Sequence, residues 1–205
     1  MRVNIMFSLS LFCAFLLSGQ HIWMKHAMAY DGPEYRIISA TTEYEVRYYS
    51  ARTVAQVRYR AGQSGFRALF NYISGHNMAA QKIEMTAPVL EGQILSMTAP
   101  VTEIADRNAR TMQFFLPRGF ETANAPKPTN PAVTLEDVPP AYYAAIIYSG
   151  FSSHRNFKKY HKLLKASLSR YGLEIIGSPI KATYDAPYTP PFLRRNEALF
   201  RLVWK

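Results

Sequence analysis

A chain of 205 residues that is 48% hydrophobic is long enough to bury one sizeable core, and its net charge of +10 favours anionic partners. Its one cysteine, Cys13, lies in an apolar N-terminal run, which excludes a disulfide scaffold and a thiol nucleophile in the folded part. No Gly-x-Ser-x-Gly elbow, His-Glu-x-x-His, phosphate loop or dinucleotide fingerprint is present, so the common enzyme signatures are missing.

Residues 1–29 read as a secretory signal, with Arg2 at the start, an uncharged apolar run over residues 5–18 and the cleavage pattern Ala27-Met28-Ala29. The run is shorter than the ~20 residues of a membrane-spanning helix. The expectation is a periplasmic or secreted protein beginning at residue 30, with an uncleaved membrane anchor as the alternative. Beyond the signal, the chain echoes itself. Val46, Val54, Ala55, Val57 and Tyr59 match Leu135, Tyr143, Ala144, Ile146 and Tyr148 at a constant spacing of 89. Two half-repeats follow, approximately 35–116 and 132–205, each reading as strand, turn, strand, helix and further strand.

In the first half, Phe66, Leu69, Phe70 and Ile73 mark one face of a helix that Gly75 can stop. Met-Thr-Ala-Pro-Val then occurs twice, from Met85 and from Met97. A hairpin turning at Leu90-Glu91-Gly92 would set the two methionines opposite each other, with Gly92 at positive φ. Residues 117–140 hold six of the thirteen prolines and read as a connector. The second half carries a longer helix, with Phe157, Tyr160, Leu164, Leu168 and Tyr171 on one face, Ser152 or Ser153 as its cap and Gly172 near its end. The class is α+β, two helices packed on antiparallel strands.

Several motifs resemble the SOUL family of haem-binding proteins. They are Tyr44-Glu45-Val46-Arg47, Gly65-Phe66 leading to Ile73-Ser74-Gly75, Lys82-Ile83-Glu84-Met85-Thr86-Ala87-Pro88-Val89, Phe114-Phe115-Leu116-Pro117, and the closing run from Tyr184 to Glu197. The resemblance implies a pseudo-twofold domain, a distorted antiparallel β-barrel flanked by two α-helices, and kinship with effector-binding domains of bacterial drug-sensing regulators. It also implies a tetrapyrrole held non-covalently in an apolar groove without one universal axial ligand.

Possible contacts to such a ligand are few. His76, just past the first helix, could reach haem iron as an imidazole ligand, although the family motif Gly-x-Asn leaves its position variable. Met85 and Met97 could offer thioether sulfur, but strand-like surroundings favour packing. His154 and His161 share a helix face roughly 10 Å apart, too far for one metal. His161 sits on the border of the apolar and charged faces, where a solvent-edge role is the simpler reading. Arg155, Lys158, Lys159, Lys162 and Lys165 form a basic side that is either solvated or meets haem propionates or anionic lipid. Tyr188, Phe192, Arg194 and Arg195 form either a groove wall or a packed C-terminal clamp. The expected function is binding of haem or a related tetrapyrrole as carrier, buffer or scavenger. The alternatives are a receptor for another amphipathic small molecule, or a hydrolase using a carboxylate near the groove. An exported chain leaves nucleic acid a poor partner.

Overall fold

Strands with one apolar face and one mixed face dominate the computed structural model, which describes residues 33–60, 63–93 and 109–204. In chain order the elements are β1 (Tyr35–Ala40), β2 (Glu45–Tyr49), β3 (Arg52–Arg60), α1 (Phe66–Ile73), β4 (Val89–Gln93) and β5 (Ala109–Phe115). Then come β6 (Val133–Val138), β7 (Ala141–Tyr148), α2 (His154–Arg170), β8 (Ile175–Thr183) and β9 (Asn196–Leu202), with a short 3-10 turn at Pro191–Leu193. The nine strands form one antiparallel sheet in the order β1-β2-β7-β9-β8-β4-β5-β3-β6, curled into a half-barrel.

That order is palindromic from β2 onward. Exchanging β2 with β6, β3 with β7, β4 with β8 and β5 with β9 leaves it unchanged, so a pseudo-twofold axis runs between β4 and β8. The spacing of 89 follows from this, because Val46 and Leu135 lie on β2 and β6 while the other matched residues lie on β3 and β7. The halves interlock: β2 pairs with β7, and β6 pairs with β3.

Alternation divides the side chains between two faces. Both helices lie on one. There α1 buries Leu69, Tyr72 and Ile73 against Ala55, Val57, Met112 and Phe114. On the same face α2 buries Leu164 and Leu168 against Val46, Ala144, Phe200 and Leu202. Ser153 caps α2 by accepting from the Asn156 backbone N–H at 3.2 Å, and Gly172 ends it at φ +67°. The face without helices buries Tyr49, Val54, Leu90, Phe115, Tyr143 and Leu199.

Three local expectations change. Leu90-Glu91-Gly92 is no hairpin turn; it is the middle of β4, paired with β5 on one side and β8 on the other. Burial of Leu90 and pairing on both edges outweigh the turn signal, Gly92 is not at positive φ, and Met97 lies outside the described residues. The proline-rich connector holds β6, a sheet-edge strand. The α1 stripe is rotated: Tyr72 joins Leu69 and Ile73 inside, whereas Phe66 and Phe70 stack on each other at the surface, 5.8 Å between centroids.

Close packing at the start of α1 explains its glycine. A Cβ on Gly65 would run into Cγ1 of Val57, a branched side chain with little rotamer freedom, and approach Tyr59 Cδ1 to 3.2 Å. Gly65→Ala should therefore lose about 1–3 kcal/mol of stability, read as a lower urea midpoint; an unchanged midpoint would show that this contact yields freely.

Candidate ligand groove

Among the described residues, β4 and β8 meet at the pseudo-twofold axis through three residue pairs, Val89↔Thr183, Leu90↔Ala182 and Glu91↔Lys181. Just before this junction β8 slips its register against β9 between Ile176 and Ile180. Gly177, at φ +83°, and Pro179, which has no N–H to donate, account for the irregularity. The bulge leaves Ser178 and Pro179 out of the ladder on the helix side. Facing them across a groove of about 500 Å³ are His154, Phe157, Lys158 and His161 of α2, with Glu91, Arg110 and Lys181 from β4, β5 and β8. The α2 residues fall at i, i+3, i+4 and i+7, which puts them on one helix face. A volume of this size suits a small-molecule site of roughly 300–1,000 Å³.

Charge in the groove is unbalanced. Glu91 accepts from the Tyr59 hydroxyl at 2.7 Å and from Arg110 at 3.3 Å, and it also pairs with Lys181. Burial would raise its carboxyl pKa, but Lys181, then Tyr59 and Arg110, hold it below the usual value. One carboxylate thus faces Arg110, Lys181 and Lys158, and Lys158 makes no ion pair among the described residues. His161 is half-buried, its ring 5.0 Å from that of Phe157 and 6.3 Å from that of Phe200. Its Nδ1 is buried without a hydrogen-bond partner. Burial, then Lys162, Lys158 and Lys165, hold its pKa below 6.5. His154 is likewise lowered by burial, then by Arg110. The groove therefore combines apolar surface, neutral imidazoles and excess positive charge, which suits an amphipathic anion. No cluster of three or more His, Cys, Asp or Glu that could hold a metal occurs among the described residues.

The opposite face has a different character. Its cavity of about 20 Å³, lined by Tyr49, Arg52, Leu90, Phe115, Tyr143 and Tyr184 among others, holds roughly one water. Its acidic group is fully paired, although Arg52 Nε is buried beside the cavity without a hydrogen-bond partner. Arg47 and Glu197, both with 0% side-chain exposure, pair at 2.8 Å. Arg195 reaches the other Glu197 oxygen at 2.6 Å, and Tyr184 donates to Glu197 at 2.8 Å. Burial would raise the Glu197 pKa, yet Arg47 and then Arg195 keep it low.

Of the residues singled out in the sequence, Lys158 lines the groove. Lys162 is exposed one turn further along α2, outside the lining. His76 lies in the exposed loop after α1, its Nδ1 3.2 Å from the Asn71 carbonyl oxygen. Met85 packs half-buried against the α1 layer. Tyr188 and Phe192 are exposed and line neither cavity. Arg194 donates to the carbonyls of Thr189, at 2.6 Å, and of Pro187, while Arg195 is committed to Glu197. Sequence reasoning missed the groove role of His161, Phe157, Arg110 and Lys181. Gly177 and Pro179 inside a strand pattern were the available signal for a bulge.

The sequence profile of the SOUL haem-binding protein family matches residues 30–201. No curated protein matches. Among solved structures, the C-terminal domain of EcmrR gives a TM-score of 0.56 at 11% identity, over 83% of this chain and 99% of that one. A hydrolase from Listeria innocua gives 0.55 at 11% identity, over 81% and 94%. An uncharacterized conserved protein from Listeria innocua gives 0.57 at 10% identity, over 80% and 94%. At these identities the likenesses speak for the fold alone.

The lowered histidines set a pH dependence. Below pH 6.5 the unfolded chain takes up protons that folded His154 and His161 resist, so their contribution, present above 6.5, is lost toward acid. His161→Ala should flatten the fall in urea stability between pH 6.5 and about 5. An unchanged slope would mean that His161 titrates as an ordinary surface imidazole.

Proposed function

We propose that this chain, which belongs to the SOUL haem-binding protein family, holds haem or a related tetrapyrrole in the groove between α2 and the β4–β8 junction. The role would be carriage, buffering or scavenging without turnover, and the N-terminal apolar run supports an exported protein. The observation that carries the proposal is one groove of about 500 Å³ that combines apolar surface with cations in excess of its single carboxylate. Haem, when bound, would supply a redox-active iron. Phe157 and Pro179 would cover a ring face, and Lys158 would meet the carboxylates. His154 and His161 are the imidazoles within the groove, and the orphaned Nδ1 of His161 marks a polar group without a protein partner.

Burial at roughly 25 cal/mol per Å² of apolar surface supplies most of the affinity. Part of it is lost to the cost of association. A hydrolase would need Glu91 as its acid or base, and three partners already hold that carboxylate ionised, which disfavours a general acid. Turnover of a chromogenic ester that Glu91→Gln abolishes would favour that second reading.

The test is titration with haemin and with iron-free protoporphyrin, followed by the Soret band. One-to-one binding of both, tighter than about 10 µM, or roughly 7 kcal/mol, is expected. Phe157→Asp combined with Lys158→Glu should weaken both at least about tenfold, near 1.4 kcal/mol. No saturable binding in that range would refute the proposal.

A further inference from the structure

We propose that an aromatic surface at the start of α2 docks this protein on an anionic lipid bilayer, with the cations of that helix against the headgroups. Four large apolar side chains stand in solvent on two neighbouring loops: Phe151 at 61% exposure, Tyr188 at 82%, Phe192 at 75% and Leu193 at 47%. The loops are tied together. The Gly150 N–H donates to the Pro191 carbonyl at 2.8 Å, Asn196 Nδ2 donates to the Gly150 carbonyl at 3.0 Å, and the Arg194 guanidinium lies 5.7 Å over the Phe151 ring. Pro187, Pro190 and Pro191 fix backbone angles through the longer loop. The patch is therefore pre-organised, and its rings are displayed in water where they add nothing to the core.

The neighbouring charge is a second observation. The first turn of α2 contains no acidic residue and carries Arg155, the sign that the helix dipole disfavours. Arg155, Lys158, Lys159, Lys162 and Lys165 make no ion pair among the described residues, although Lys159 lies 5.2 Å over the Tyr160 ring. Unpaired cations beside exposed aromatic rings match an anionic bilayer on both counts. Tyr and Phe settle at the boundary between headgroups and acyl chains, and each basic side chain near an anionic surface contributes about 1 kcal/mol. An acidic protein surface would explain the cations and leave the solvated rings unexplained. Docking here would also bring the bilayer to the end of the groove, since His154 lines the groove three residues after Phe151. The inference does not depend on which ligand the groove takes.

Co-sedimentation of the full chain with vesicles tests it, using phosphatidylcholine alone and equal parts phosphatidylcholine and phosphatidylserine. Binding should require phosphatidylserine and weaken as salt rises. Tyr188→Ser with Phe192→Ser should lower the partition coefficient about tenfold, and Lys159→Glu with Lys162→Glu should do likewise, each with an unchanged circular dichroism spectrum. Equal binding to both vesicle types, or binding that survives the aromatic substitutions, as insertion of the N-terminal apolar run would give, overturns the proposal. Absence of vesicle binding overturns it as well.

Discussion

Three residue pairs join β4 to β8 at the pseudo-twofold axis, and the division of the molecule into two faces follows from that short junction. On the face without helices it places Leu90 and Ala182 in the core. On the helix face the same strands present Glu91 and Lys181 as a groove floor. Alternation along a strand makes these one event, because neighbouring residues point to opposite faces. The slip of β8 against β9 just before this junction sets Ser178 and Pro179 in the groove wall opposite α2.

Charge then distinguishes the two faces. Arg47, Arg195 and Glu197 form an ion-pair network that links β2 to β9 past the intervening β7. Removing one partner of such a pair typically costs 3–5 kcal/mol, because the other is left buried and uncompensated. That network occupies both oxygens of Glu197, and the cavity beside it admits about one water. In the groove, Glu91 is shared between Arg110 and Lys181 while Lys158 remains unpaired, so an incoming carboxylate finds an unsatisfied cation.

Much of the architecture was legible because the two halves share an alternation. Val54 and Tyr143, or Ala55 and Ala144, match since β3 and β7 occupy equivalent places about the pseudo-twofold axis. The turn expected at Leu90-Glu91-Gly92 failed because its evidence was local, whereas strand partners on both sides come from distant segments. Lys158 could be read from charge clustering alone. The groove role of His161 could not, since it depends on Phe200 closing over the ring from β9 and on a bulge in β8. Tyr188 and Phe192 stand in a segment whose prolines and aromatic residues suit a wall, a clamp or an exposed patch. Only the backbone path, with Arg194 turned back on Pro187 and Thr189, decides for exposure.

The proposed ligand enters on the helix side of the β4–β8 junction. Amide chemical-shift mapping with a diamagnetic porphyrin, gallium protoporphyrin, tests this most directly. Shifts should concentrate at residues 154–161, 178–181 and 91–92, with little change at Tyr49, Tyr143 and Tyr184. Shifts centred on those three tyrosines, or around His76, would place the ligand elsewhere and contradict it.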